Sequence, residues 1–289
     1  MRFAYINILL GLVSSSLVAQ IPEYESYLES WDSSYKTVFQ NLNIRSGVVI
    51  NVAFGDFTFS NNSTFIGGLE FSSSALKGVI SYVHSRQGQV KLSLGGATYP
   101  LQNILKSMGP RHLASSVAAC VAYYNLDGVD LDIEDNPNPQ QEITFIQQLR
   151  QNLGSGKIIT LTVPGQDWNG TPATVIPAVK NAVNFYNFME YDIWIDPNLG
   201  MIGTIQSDIA TYQTRWGLSP GQIQLGLMPG NDDEGHYLSV QDAQNLAAWA
   251  KQQGLAGVMT WDLDRDYKGQ TGQGPFTYSI DIMNVLFGQ

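Results

Sequence analysis

One stretch of nine residues, Asp127-Gly128-Val129-Asp130-Leu131-Asp132-Ile133-Glu134-Asp135, concentrates groups able to move protons. Acidic residues are depleted in β-strands, yet here they alternate with Val, Leu and Ile. Side chains at i, i+2 and i+4 share one face of a strand. Asp130, Asp132 and Glu134 therefore project together, and Val129, Leu131 and Ile133 project the other way. Three carboxylates in a desolvated interior repel one another, so at least one should keep a proton at neutral pH. Glu134 ends the alternation, and its pKa is expected to be raised, as a general acid requires. The competing reading is a hydrogen-bonded acidic cluster or a calcium site, but burying such a set without a function is costly. Asp127 has the opposite parity and reads as a structural or capping group.

Such a strand needs a scaffold that turns its acidic face to a site. Short β-branched or apolar segments recur at Tyr24–Leu28, Val48–Phe54, Val90–Leu94, Gly128–Ile133, Ile158–Val163, Phe185–Tyr191, Ile223–Met228 and Gly257–Trp261. Helical patterns lie between them. Ser74–Ser85 follows a serine cluster, Pro139–Leu149 has Asn138 as N-cap, and Ser239 with Asp242 opens a helix that stops near Gly254. Alternating strands and helices predict a parallel sheet, and at this length a single-domain (β/α)8 TIM barrel is the economical closure. An open doubly wound sheet would bring a glycine-rich dinucleotide turn after the first strand, and none is present there. In a barrel the acidic face must point inward, because helices cover the outside.

Composition narrows the function. The chain has 289 residues, 25 acidic and 15 basic, for a net charge of −10, which disfavours nucleic acid as a partner. With 44% hydrophobic and 14% charged residues it is not a disordered chain. Its one cysteine, Cys120, sits in an apolar run and reads as a buried, inert thiol. His84, His112 and His236 have no ligand spacing, so neither a metal nor a cofactor is expected.

The acidic segment resembles the DxxDxDxE signature of glycoside hydrolase family 18, the chitinase family. Further segments resemble that family in order: Ser93-Leu94-Gly95-Gly96 its SxGG motif, Met189-Glu190-Tyr191-Asp192 its MxYD motif, and Gly257-Val258-Met259-Thr260-Trp261 its eighth strand. Tyr27 to Trp31 and Ala53-Phe54 resemble its first two strands. The resemblance implies hydrolysis with retention, in which the substrate's own N-acetyl group attacks and forms an oxazolinium ion. It implies Glu134 as acid then base, Asp132 as the group orienting the acetamido nitrogen, and Asp130 as the deeper carboxylate holding Asp132. Tyr191 and Asp192 would bind the N-acetyl group. Trp261 would floor the subsite, Tyr27 and Phe54 would wall it, Met189 would line it, and Gly95 and Gly96 would leave room above the third strand. Trp31, Trp168 and Trp194 are candidate outer sugar platforms, whereas Trp216 and Trp249 read as packing residues.

Only a short helical connection separates the seventh and eighth strands, so the α+β insertion of many relatives is not expected, and a shallower, endo-cutting cleft is. The acidic loop Asn231-Asp232-Asp233-Glu234 reads as solvated or substrate-facing. Residues 1–19 read as a signal peptide, with Arg2 before the apolar run Phe3 to Val13, leaving a catalytic barrel over 20–289. That run is too short to span a bilayer comfortably. Sequons at Asn61, Asn62 and Asn169 agree with secretion. The expectation is a secreted, monomeric chitinase acting on N-acetylglucosamine polymers, with no membrane partner. An endo-β-N-acetylglucosaminidase cutting the N-glycan core and a non-catalytic chitin-binding lectin or effector are the alternatives.

Overall fold

A computed structural model of the protein describes residues 23–32, 41–57 and 66–288. The expected signal segment and the sequons at Asn61 and Asn62 lie outside these residues. Eight parallel strands close into a barrel. They are β1 (Glu23–Glu29), β2 (Val48–Gly55), β3 (Gln89–Gly95), β4 (Gly128–Asp132), β5 (Ile158–Pro164), β6 (Phe185–Met189), β7 (Ile223–Leu227) and β8 (Gly257–Thr260). Each pairs with its neighbour in sequence, and β8 returns to β1. This is the expected (β/α)8 architecture.

The outward face of β4, Val129 and Leu131, packs into a continuous apolar layer under the helices. Its inward face carries Asp130 and Asp132, both buried. The register places Ser93 opposite Asp130 on one side and Thr160 on the other, and Gly95 and Thr162 flank Asp132. The acidic face is thus met by hydroxyls at the same heights.

The helices form where their caps predict. Ser72 caps α1 (Ser73–His84) by accepting from the Ala75 N–H at 3.1 Å. The helix Pro139–Leu153 is capped by the Asn138 carbonyl oxygen, which accepts from Gln140 and Gln141. Helix Val240–Gln253 opens on Ser239, which accepts from the Asp242 N–H, and ends on a left-handed Gly254. Between β7 and β8 lie only this helix and a two-residue antiparallel ladder, Gly230–Asn231 with Tyr237–Leu238. No α+β insertion stands there. Among the described residues no helix is long and apolar enough to cross a membrane.

Four strands end earlier than expected. β4 stops at Asp132, β6 at Met189, β7 at Leu227 and β8 at Thr260. Glu134, Tyr191, Asp192, Met228 and Trp261 therefore stand just beyond the strands, on the turns at the C-terminal mouth where barrel sites form.

Candidate active site

A cavity of about 580 Å³ opens at that mouth. Asp132, Glu134, Met189, Tyr191, Asp192, Phe54 and Trp261 line it, so seven of the expected site residues converge on one space. Trp31, Tyr99, Glu70, Met228 and Asp233 complete much of the wall.

Asp130 forms the base of the site and is fully buried. Oδ2 accepts from the Tyr27 hydroxyl at 2.8 Å and from Ser93 Oγ at 2.7 Å. Oδ1 accepts from Thr160 Oγ1 at 2.6 Å, Thr162 Oγ1 at 2.9 Å and, weakly, Asn187 Nδ2 at 3.5 Å. Every donor is neutral and comes from a different strand or height, which fixes the carboxylate. Asp130 does not hold Asp132 by a hydrogen bond, contrary to expectation. It acts on Asp132 through charge.

Asp132 lies one inward position higher and is also buried. Its Oδ1 has no hydrogen-bond partner. Burial first, then the Glu134 and Asp130 charges, push its carboxyl well above the ordinary range. Glu134 reaches the open cavity, and partial burial raises its pKa too, with the Asp192 charge adding and the Ala97 N–H opposing. The expectation that at least one carboxyl keeps its proton has a physical origin in these two raised carboxyls. Behind Glu134 a second, smaller cavity of about 40 Å³ is lined by Asp135, Glu142, Thr162 and Asp167.

Tyr191 is nearly buried, and desolvation with the Asp132, Glu134 and Asp192 charges pushes its phenol well above its usual value. It stays a neutral hydroxyl donor facing the cavity. Asp192 is exposed and adopts a left-handed backbone, φ 54°. Although the residue is exposed overall, partial desolvation of its carboxyl against the loop, together with the Asp233 and Asp232 charges, raises its pKa, and the Asp233 N–H, donating to Oδ1 at 2.6 Å, opposes this.

The aromatic floor differs from expectation. Trp261 stacks on Phe54, ring centroids 5.3 Å apart and planes at 12°. Trp31 packs beyond Phe54 at 6.1 Å and lines the cavity. Tyr27 is not a wall: it is 1% exposed, meets Trp261 edge-on from below, and spends its hydroxyl on Asp130. Gly95 and Gly96 do not line the cavity either. A Cβ on Gly95 would lie 2.1 Å from the Asp132 carbonyl oxygen, and one on Gly96 would lie 2.7 Å from the Phe54 ring. Both have positive φ, so they permit close approach of β3 to β4 and to Phe54. Trp168 is not a platform, because its ring packs on Tyr212 at 4.8 Å and Trp216 at 6.2 Å. Trp194 is 66% exposed and lies outside the cavity lining. Trp216 packs in the core and the partly buried Trp249 against it, as expected.

Sequence reasoning missed Asp232. It is buried and accepts from the Asp192 N–H at 2.9 Å, the His236 N–H at 2.7 Å and His236 Nδ1 at 3.0 Å. Although burial alone would raise its pKa, these donors hold it below the ordinary carboxylate value. No strand pattern marks it; the acidic loop itself was the available signal. Asp127 has the expected structural role, accepting from the Val90 N–H and pairing with His84, each at 2.7 Å. Asn169 is exposed, and its Oδ1 accepts from Arg215. Cys120 is buried, and burial pushes its thiol up to about 12. Glu29, Asp32 and Asp264 lie close enough to share a cation, but the Lys268 ammonium is 3.5 Å from Glu29 and 2.9 Å from Asp32.

Known proteins share this fold. A chitinase from Rhizomucor miehei superposes with a TM-score of 0.70 at 21% identity, over 91% of this chain and 99% of that one. A GH18 chitinase from Pseudoalteromonas aurantia gives 0.69 at 23% identity, over 86% and 97%. A Group II chitinase catalytic domain of Ostrinia furnacalis, in complex with (NAG)5, gives 0.74 at 14% identity, over 93% and 97%. These likenesses speak for the fold. A sequence relative, the killer toxin subunits alpha/beta of Kluyveromyces lactis, is 30% identical over 157 residues. The match covers 47% of this chain but only 13% of that protein. The family model Glycosyl hydrolases family 18 matches residues 25–218, which include the acidic strand and the Met189–Asp192 turn, and the chain belongs to that family.

Proposed function

We propose that the protein is a secreted chitinase that cuts β-1,4 bonds between N-acetylglucosamine units with retention. The observation that carries this reading is the convergence of Glu134, Asp132, Tyr191 and Asp192 on one cavity above an aromatic floor. A neutral sugar ring suits that floor, and it needs no basic groove.

In the proposed reaction Glu134 gives its proton to the glycosidic oxygen as the bond to the anomeric carbon breaks. The acetamido carbonyl oxygen of the same sugar bonds to that carbon and forms the oxazolinium ion. Asp132 Oδ1, buried and without a protein partner, accepts the acetamido N–H and faces the positive charge. The Tyr191 hydroxyl holds the acetamido oxygen in line, and Asp192 binds the sugar beside it. Positioning of this kind is worth several kcal/mol of barrier. Water then attacks the anomeric carbon, giving its proton back to Glu134. The open side left by the short β7–β8 connection favours endo cutting.

The test uses purified protein and Glu134→Gln with chitin oligosaccharides and a high-mannose glycopeptide. Short oligosaccharides released by the wild type alone support the chitinase. Cleavage of the glycopeptide only assigns the N-glycan core instead. Binding without cleavage by either protein assigns a lectin.

A further inference from the structure

Lys91 is the only lysine or arginine buried in the interior among the described residues. It stands on β3, two residues before Ser93, and faces inward at the barrel floor. Its Nζ donates to Glu25 Oε2 at 2.8 Å and to Thr160 Oγ1 at 2.7 Å. An ammonium has donors only. Thr160 Oγ1 must therefore accept from Lys91, so its single proton points to Asp130 Oδ1, 2.6 Å away. The cation thus reaches Asp130 through one polarised hydroxyl. Glu25, the anion of the pair, is held by amides: Oε1 accepts from Asn187 Nδ2 at 2.8 Å and from Asn51 Nδ2, and its link to Asp130, through the 3.5 Å contact of the same Asn187 amide, is longer than that of the cation.

A buried ion pair is a poor device for stability alone, since apolar residues of similar volume often serve as well or better. Lys91 also lies outside the cavity lining and cannot touch a substrate there. We propose that Lys91 is a positioning residue for the proposed hydrolysis: acting through Thr160, it fixes the Asp130 carboxylate and sets the pH range over which the Asp132–Glu134 pair holds its proton. This rests on the hydrolase reading above. The ionisable groups it acts on are Glu25 and Glu23 on β1 and, through Thr160, Asp130 on β4; the Asp130 charge acts in turn on Tyr27 and Asp132, and the Asp132 charge on Tyr191 at the mouth. Removing the cation linked to Asp130 through Thr160 disfavours the anionic form of the Asp132–Glu134 pair, so its proton leaves at higher pH.

Two variants test this. Lys91→Met/Glu25→Gln removes both charges and leaves none unpaired. Thr160→Val keeps the pair and cuts the connection. Each is measured by the pH dependence of kcat/KM on chitin oligosaccharides, and by 13C titration of aspartate carboxyls, which needs no turnover. In Thr160→Val the alkaline limb and the aspartate titrations should move up by about half a pH unit or more, and in the double variant, where the more remotely linked Glu25 anion leaves with the cation, they should move up by less. kcat should fall by about an order of magnitude while KM changes less than about twofold. Limbs and titrations that overlay the wild type, even with lower stability, overturn the proposal. Should the double variant not fold, Lys91→Gln, which removes the charge and keeps a donor towards Thr160, takes its place, and a titration that moves in Thr160→Val but not in Lys91→Gln overturns the role of Lys91. If the wild type cleaves no glycan, the hydrolase reading fails, and the carboxyl titrations still decide whether Lys91 sets the charge of the set.

Discussion

Asp232 and Asp192 are tied together across the mouth of the barrel. The Asp232 carboxylate accepts the Asp192 N–H at 2.9 Å, and the Asp192 carboxylate accepts the neighbouring Asp233 N–H at 2.6 Å. The turn after β6 and the loop after β7 thereby cap each other. Asp192 needs such a lock, because its left-handed backbone is disfavoured for a residue with a Cβ. Hydrogen bonds to a charged group contribute about 1.5–3 kcal/mol each. Asp232→Ala should lose roughly that much stability in urea unfolding. It should also bind chitin oligosaccharides more weakly, with Asp232→Asn in between. Unchanged affinity in Asp232→Ala would mean that Asp192 does not depend on the lock.

The raised Asp132 and Glu134 carboxyls predict an activity that is greatest on the acid side of neutrality. It should fall as pH rises through the value at which the pair loses its proton. The Glu134 charge helps to raise Asp132, and the coupling is mutual. Asp132→Asn should therefore move the alkaline limb to lower pH, besides lowering kcat. A pH–rate profile of the variant checks both. An alkaline limb that does not move would remove the coupled pair.

Glu142 predicts a stability effect separate from catalysis. It is 3% exposed, its Oε2 has no hydrogen-bond partner, and burial with the Asp135 charge raises its pKa from 4.5 to about 8. The folded state thus holds a proton that the unfolded state releases. The stability this contributes is full below about 4.5 and is lost as pH rises towards about 8. Glu142→Gln, always neutral, should flatten that decline and gain at least about 1 kcal/mol at the alkaline end. Denaturation midpoints at several pH values measure this. A slope equal to the wild type's would mean that Glu142 is ionised in the native protein.

The two glycines after β3 should fail differently. Gly95→Ala puts a methyl group against the Asp132 backbone, which cannot yield, at φ +108°. It should destabilise by about 3 kcal/mol or more and abolish activity. Gly96→Ala meets the Phe54 ring, a side chain able to move. It should disturb the stack on Trp261, and weaken oligosaccharide binding more than it weakens the fold. Thermal unfolding and binding titrations separate the two.

The barrel and the acidic face of β4 were legible because both rest on local periodicity. A period of two says which side chains point inward, and Asp130, Asp132 and Tyr27 do so. It does not say how high each stands. Height depends on register between strands, and that placed Tyr27 under Trp261 rather than beside the cavity. Trp168 shows the same limit for turns. It follows β5, as a platform residue would, but its ring turns towards Tyr212 and Trp216 in the helical layer. Asp232 depends on a contact with Asp192, forty positions earlier, and Lys91 on partners from β1 and β5. Such contacts exist only once the barrel has closed. The acidic loop marks the segment of Asp232 but not its partner, and nothing in its own segment marks Lys91.

Cys120, on the buried face of the helix Pro110–Tyr124, lets the barrel report on its own opening. With its thiol raised to about 12 and wholly covered, it is inert while the fold is intact. It has no second cysteine to pair with, so the fold is indifferent to whether its surroundings oxidise or reduce. Added disulfide reagents would therefore be consumed only as fast as the chain exposes this one thiol. Their uptake is a stopwatch for unfolding that needs no engineered label.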